Sequence, residues 1–198
     1  MAEAETPLSR HAVPSGPDGA GLTMSERHLP GQVILRGDGS DQRFLEAAIG
    51  VLGVAPPTAP NTVASVDGID LLWLSPVEWL LVMPSGRETA LVEQLTAALA
   101  GFHGGAIDVS DARAVIRLEG PAARQVLAKG TPLDLRASVL GRGRCAQTSL
   151  ARAGVILRPV GASGEAYEIH VGRSFAPYLW AWLMDAGREF GVRVIAAA

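Results

Sequence analysis

The feature that most restricts this chain's fold is that it runs through the same succession of strand and helix signals twice. In the first pass, Gln32-Val33-Ile34-Leu35-Arg36-Gly37 reads as a strand. Ser40 then opens a short helix with Phe44, Leu45, Ala48, Ile49 and Leu52 on one face at helical spacing. Pro56, Pro57 and Pro60 break the pattern. The runs 62–66 and 69–74 follow, joined by Asp67-Gly68, a pair that tolerates the positive φ of a tight hairpin turn. Residues 78–83 make a third strand. Ser85 and Glu88 spell a capping box for a helix carrying Leu91, Val92, Leu95 and Leu99, and residues 106–109 close the unit as a strand.

The second pass keeps the order. Residues 114–118 read as a strand, and Gly120-Pro121 starts a helix through Val126 and Leu127, proline being well placed at a first helical turn. Residues 145–151 and 155–160 form a hairpin around Ala153-Gly154, and 166–171 are the third strand. Ser174 leads a helix to about Glu189 with Phe175, Leu179, Trp182, Leu183, Ala186 and Phe190 as its apolar face. Gly191 ends it, and 192–195 is the closing strand. Val33 corresponds to Val115, Gly68 to Gly154 and Trp79 to Tyr167, at offsets of 82, 86 and 88 residues. Loop insertions produce such drift. The expected fold is α+β: two pseudo-symmetric β-α-β-β-β-α-β repeats, about 29–110 and 111–198, in one globular body over 29–198. Either repeat alone would bury too little surface to be robust.

Residues 1–28 hold Pro7, Pro14, Pro17, Gly16, Gly19 and Gly21 and show no apolar periodicity. A flexible leader is expected there, or an arm that orders on a partner.

Composition narrows the function. A net charge of −3, from 17 basic and 20 acidic residues, lacks the excess of cations that a nucleic-acid surface needs. Cys145 is the only cysteine, so neither an intramolecular disulfide nor a cysteine metal cage can form. No run approaches the roughly 18 apolar residues of a membrane span. Met1-Ala2-Glu3-Ala4-Glu5 has neither the basic start nor the apolar stretch of a secretory signal, so a cytoplasmic protein is expected.

The search for chemistry returns little. His11, His28, His103 and His170 are scattered without metal-ligand spacing, and His170 is expected to face solvent from its strand. Gly141-Arg142-Gly143-Arg144 lacks the phosphate-loop frame and reads as a solvated turn. Gly37-Asp38-Gly39-Ser40-Asp41 has too few oxygen donors for a calcium loop, and Gly161-Ala162-Ser163-Gly164 is not a nucleophile elbow. Asp108 and Asp111 lie near each other at a strand end, where one or the other reads as a turn cap. No catalytic, cofactor-binding or metal-binding residue is expected. On the last helix Trp182 shares the face of Leu179 and Leu183, whereas Trp180 is offset from it and is expected to be exposed. An exposed tryptophan suits an interface.

The run Ile107-Asp108-Val109-Ser110-Asp111-Ala112-Arg113, followed by Leu118-Glu119-Gly120-Pro121-Ala122-Ala123, resembles the gamma subunit of bacterial heterotetrameric sarcosine oxidases. Gly130-Thr131-Pro132-Leu133-Asp134-Leu135 and Ser75-Pro76-Val77-Glu78-Trp79-Leu80 are similar to further motifs of that family. The most specific piece is Arg173-Ser174-Phe175-Ala176-Pro177-Tyr178-Leu179-Trp180. The resemblance spans roughly residues 30–195 and leaves the leader uncovered.

It implies a fold like the folate-binding module of aminomethyltransferases, itself an internal duplication. It also implies a complex with alpha, beta and delta subunits that oxidises sarcosine to glycine, with hydrogen peroxide and either formaldehyde or methylenetetrahydrofolate. FAD, FMN, NAD and tetrahydrofolate would belong to the complex and none to this chain, whose role would be structural, with no catalysis in isolation. Trp180 and Arg173 are the candidate partner contacts. The alternative is a free-standing folate-binding protein of the same fold, which needs a carboxylate deep in a pocket to hold the pterin; Asp108 and Asp134 are the candidates.

Overall fold

Asp67 and Gly68 adopt φ of 46° and 79°, and this two-residue turn joins strand β3 (Val63–Val66) to β4 (Ile69–Ser75) with Val66 opposite Ile69. The turn falls where the Asp-Gly pair predicts, because two successive positive φ values match the twist of the strands they connect. The computed structural model describes residues 5–161 and 164–196. Met1–Ala4, Ala162 and Ser163 of the apparent elbow, and Ala197–Ala198 lie outside them. The described chain divides into two compact units, each with its own sheet.

The unit built on Pro30–Ser110, with Gly143–Cys145, follows the expected β-α-β-β-β-α-β order. Its elements are β2 (Gly31–Arg36), α1 (Gln42–Leu52), β3, β4, β5 (Glu78–Met83), α2 (Glu88–Ala98) and β6 (Gly105–Asp108). The sheet order is β3-β4-β5-β2-β6, all neighbours antiparallel. Asp41, not Ser40, caps α1, its side chain accepting from the Arg43 N–H at 2.9 Å. Phe44, Ala48 and Leu52 turn inward, and Ile49 stays partly exposed. The Phe44 ring stacks on Trp79 at 5.9 Å, and Trp79 Nε1 donates to the Pro57 carbonyl at 2.8 Å. The expected Ser85–Glu88 capping box is replaced by another arrangement: Arg87 takes the cap position of α2 without a side-chain cap bond, and Glu88 Oε2 accepts the Gly86 N–H at 2.8 Å.

The other unit holds residues up to Leu29, Asp111–Arg142 and those from Ala146 onward. It repeats the order with β7 (Arg113–Glu119), α3 (Ala123–Ala128), β8 (Ala146–Leu150), β9 (Ala153–Val160), β10 (Ala166–Gly172), α4 (Ala176–Gly187) and β11 (Val192–Val194). With β1 (Leu22–Glu26), its sheet order is β11-β1-β7-β10-β9-β8. This is the order of the first unit with one strand inserted. The inserted strand is β1, antiparallel to β7 and parallel to β11.

Residues 22–26 were expected to belong to a flexible leader. They form a strand because Leu22 and Met24 alternate into the core while their backbone fills the gap between β7 and β11. The segment before β1 is also fastened. Leu8 is fully buried, Ser15 and Val194 exchange backbone hydrogen bonds at 3.1 and 2.8 Å, and the Gly21 N–H donates to Phe190 at 2.8 Å.

Two register details differ from expectation. The second hairpin pairs Leu150 with Ala153, so its turn is Ala151-Arg152, with Ala151 at φ 52°, and Ala153-Gly154 already belongs to β9. The first-strand correspondence also shifts by one residue. Leu35 opposes Trp79 as Leu118 opposes Tyr167, and both pairs face helix-covered cores, whereas Val115 lies on the other face. A slip of one residue along a strand exchanges its two faces.

Helix α4 shows the largest revision. Ala176, Leu179, Trp180, Leu183 and Gly187 are its buried stripe, and Trp180 is 3 % exposed. Trp182, expected in the core, lies about 120° round the helix from the centre of that stripe at 100° per residue. It is half-buried and packs against the core margin over Gly130. Phe175, expected to pack on the sheet, is 49 % exposed. The expected stripe ran α-helical periodicity through Phe175 and Phe190. Both sit in flanking 3-10 turns (Arg173–Phe175 and Arg188–Phe190), where three residues per turn shift the phase.

Candidate functional site

Of the residues singled out from sequence, Trp180 lies in the core, so it is not a surface for partners. Arg173 is 43 % exposed along its side chain and is partly engaged within its own unit. Its Nη2 donates to the Glu5 carbonyl at 2.8 Å, and Nη1 lies 3.7 Å from the Asp111 carboxylate. Beside it, the Thr6 hydroxyl donates to Glu26 Oε2 at 2.6 Å. Glu26 closes β1 and is 4 % exposed. Burial pushes its carboxyl above the usual glutamate value, against the opposing pull of the Thr6 hydrogen bond and of the nearby His28 and Arg173 charges. Arg173 therefore helps pin residues 5–6 onto the sheet.

Sequence reasoning missed a second cluster, on the face of β10 turned away from the helices. Arg158 grips Glu168 Oε2 through Nε at 2.9 Å and Nη2 at 2.6 Å, and Arg27 Nη1 approaches the same carboxylate at 3.4 Å. His170 Nε2 stands 3.8 Å from it. Arg158, Glu168 and His170 are 6 %, 5 % and 1 % exposed. His170 is thus buried, not solvent-facing as expected: β10 is an interior strand between β7 and β9, and its polar face is occupied by these arginines. The signal available was Arg158 and Glu168 each standing in an otherwise apolar strand run. One carboxylate held by two guanidiniums is suited to fixing a charge pattern. Arginine does not titrate in the working range of proteins, so the Glu168 charge stays matched by permanent positive charge.

The two carboxylates considered for a pterin are not deep. Asp108 is exposed and caps the turn that follows it, accepting from the Ser110 N–H at 2.9 Å and hydroxyl at 2.6 Å. Asp134 is held by the Arg136 guanidinium and backbone N–H, which bring its carboxyl down to about 2. Both act on their own loops. Asp111, the other carboxylate considered for that cap, pairs with Arg173. Of the expected Gly141–Arg144 turn, Arg142 and Gly143 form an exposed turn, while the exposed Arg144 bridges to Thr62. Among the described residues no group of His, Cys, Asp and Glu is placed to hold a metal ion, and no helix is long and apolar enough to cross a membrane.

A profile of the sarcosine oxidase, gamma subunit family matches residues 36–189. The chain belongs to that family. It is 39 % identical over 145 residues to sarcosine oxidase subunit gamma of Corynebacterium sp. (strain U-96), covering 73 % of this chain and 69 % of the relative. Its fold superposes with a TM-score of 0.84 and 32 % identity on a chain of the heterotetrameric sarcosine oxidase of Corynebacterium sp. U-96, over 94 % of this chain and 96 % of that one. The aminomethyltransferase T of the Bartonella henselae glycine cleavage system superposes with a TM-score of 0.64 at 18 % identity. It covers 90 % of this chain and 48 % of that protein. The gamma subunit family and the aminomethyltransferases therefore share a fold. In this gamma-family chain, the Arg173-Ser174-Phe175 motif on which the resemblance leaned is the hinge between β10 and α4 that holds the N-terminal segment.

Proposed function

We propose that this chain is the non-catalytic gamma subunit of a heterotetrameric sarcosine oxidase, assembling with alpha, beta and delta subunits in the oxidative demethylation of sarcosine. The observation that carries this reading is the match over nearly the whole length of both chains to a member of a heterotetrameric sarcosine oxidase. In this reading FAD, FMN, NAD and tetrahydrofolate belong to the other subunits, and this chain works in the cytoplasm as a scaffold. The buried charged groups support a scaffold role, because Glu168 is committed to Arg158 and Arg27, and Glu26 to Thr6. The free-standing folate-binding alternative gains nothing from Asp108 or Asp134, since each is tied to its own turn. Arg173 keeps its part as a partner contact through its exposed portion. Phe175, 49 % exposed, and Tyr178, 40 % exposed, replace Trp180 as the neighbouring aromatics.

The test is co-expression of a tagged chain with the other subunits of the oxidase from the same cell. Recovery of a yellow, sarcosine-oxidising complex on the tag supports the reading, as does an isolated chain that is colourless and inert toward sarcosine. A flavin spectrum that survives desalting of the isolated chain, or an oxidase that assembles fully without it, overturns it.

A further inference from the structure

We infer that the outer edge of β6 receives an extended segment of another subunit, which adds to the sheet as a sixth strand; this rests on the proposed assembly. Among the described residues strand β6 ends its sheet, bonded to β2 on one side. The Val109 N–H donates to Gln32 O at 2.8 Å, and hydrogen-bonded pairs alternate along an antiparallel ladder. Ile107 and Gly105 therefore bond inward to Ile34 and Arg36, and Ala106 and Asp108 turn their N–H and C=O groups outward. Such an edge is a template for another strand unless it is covered.

The internal duplication shows what a cover looks like. The corresponding terminal strand of the other sheet, β11, has Ser15 bridged across its outer edge by two backbone hydrogen bonds. Among the described residues no such bridge lies on β6. The side chains around it add an apolar surface. Ile107 is 62 % exposed and Val77 53 % exposed, and both line an open groove of about 1070 Å³ with Ile34 and Phe102. Arg36 and Glu78 in that groove neutralise each other at 2.6 Å. The Asp38 carboxylate accepts from the Ser40 N–H and hydroxyl, which hold it below the usual aspartate value and so keep it charged. The segment that fits is extended, apolar opposite Ile107 and basic beside Asp38.

The experiment uses the co-expressed complex and amide hydrogen exchange at single-residue resolution. The Ala106 and Asp108 amides become protected on assembly, whereas the Ile107 amide, bonded to β2, is protected in free chain and complex alike. Ile107→Lys, which places at an edge the residue that discourages strand addition, leaves the free chain's melting temperature unchanged and weakens retention of the other subunits by about tenfold or more. A complex that forms with the Ala106 and Asp108 amides still exchanging freely overturns the strand addition and leaves the proposed function standing. Protection of those amides in the isolated chain, rising with its concentration, assigns the edge to a second copy and also overturns it. Failure of the chain to join any complex overturns both.

Discussion

The Thr6 hydroxyl donates to the carboxylate of Glu26, at the buried end of a strand twenty residues along the chain. That bond ties the N-terminal segment to β1, and burial raises the Glu26 carboxyl above 4.5. A carboxyl whose folded pKa is raised binds its proton more tightly when folded. Its contribution is fully present below the unfolded value and is lost as pH rises through the raised one. Glu26→Gln keeps an acceptor for Thr6 and removes the buried charge. The variant should melt higher than the parent at pH 7–8, and the gap should close as pH falls below about 4.5. Melting curves across that range check it; a gap that widens toward acid contradicts the assignment.

Trp180 and Trp182 differ in what they fill. Trp180→Ala empties a core position and should cost about 3–5 kcal/mol of unfolding free energy. Trp182→Ala removes a half-buried ring at the margin of the same core and should cost distinctly less. Urea unfolding of both variants decides the order.

Much of the fold was legible because its signals are local. Residues 78–83 read as the strand they form, Asp67-Gly68 as the turn it makes, and the strand-helix order of both repeats follows from period together with turn, proline and glycine signals. What escaped depends on neighbours distant in sequence. Leu22 and Met24 are only two alternating apolar residues, and the gap between β7 and β11 that makes them a strand is formed some ninety and more residues later. Ala151 carries no turn signature, so the second hairpin was centred on the nearby glycine. His170 reads as a solvent-facing strand position because the arginines that cover its face, Arg27 and Arg158, come from other strands or segments of the chain. Of the candidate site, the Arg173 motif was visible in sequence, whereas its hold on Glu5 was not.

The turn at Ala151 offers a gain in stability. Its φ of 52° is a conformation that a Cβ disfavours by about 1–2 kcal/mol. Ala151→Gly removes that cost and returns part of it as unfolded-chain entropy, so the variant should be more stable by about 0.5–1 kcal/mol. A chemical denaturation midpoint that moves down would mean that the Ala151 side chain makes a contact worth more than the strain.

The Arg158–Glu168 pair should show the asymmetry of buried ions. Both residues are nearly inaccessible, and the guanidinium meets Glu168 Oε2 through two nitrogens. Arg158→Met removes the two shortest contacts to the buried carboxylate, leaving Arg27 at 3.4 Å and His170 at 3.8 Å, and should cost about 3–5 kcal/mol. Glu168→Leu in the same background removes the stranded charge. The double variant should recover much of that loss, since an apolar pair of similar volume avoids desolvating either ion. The four unfolding free energies form a double-mutant cycle whose coupling term should be large and favourable to the native pair. Additive losses would show that Glu168 draws its stabilisation from Arg27 and His170, not from Arg158.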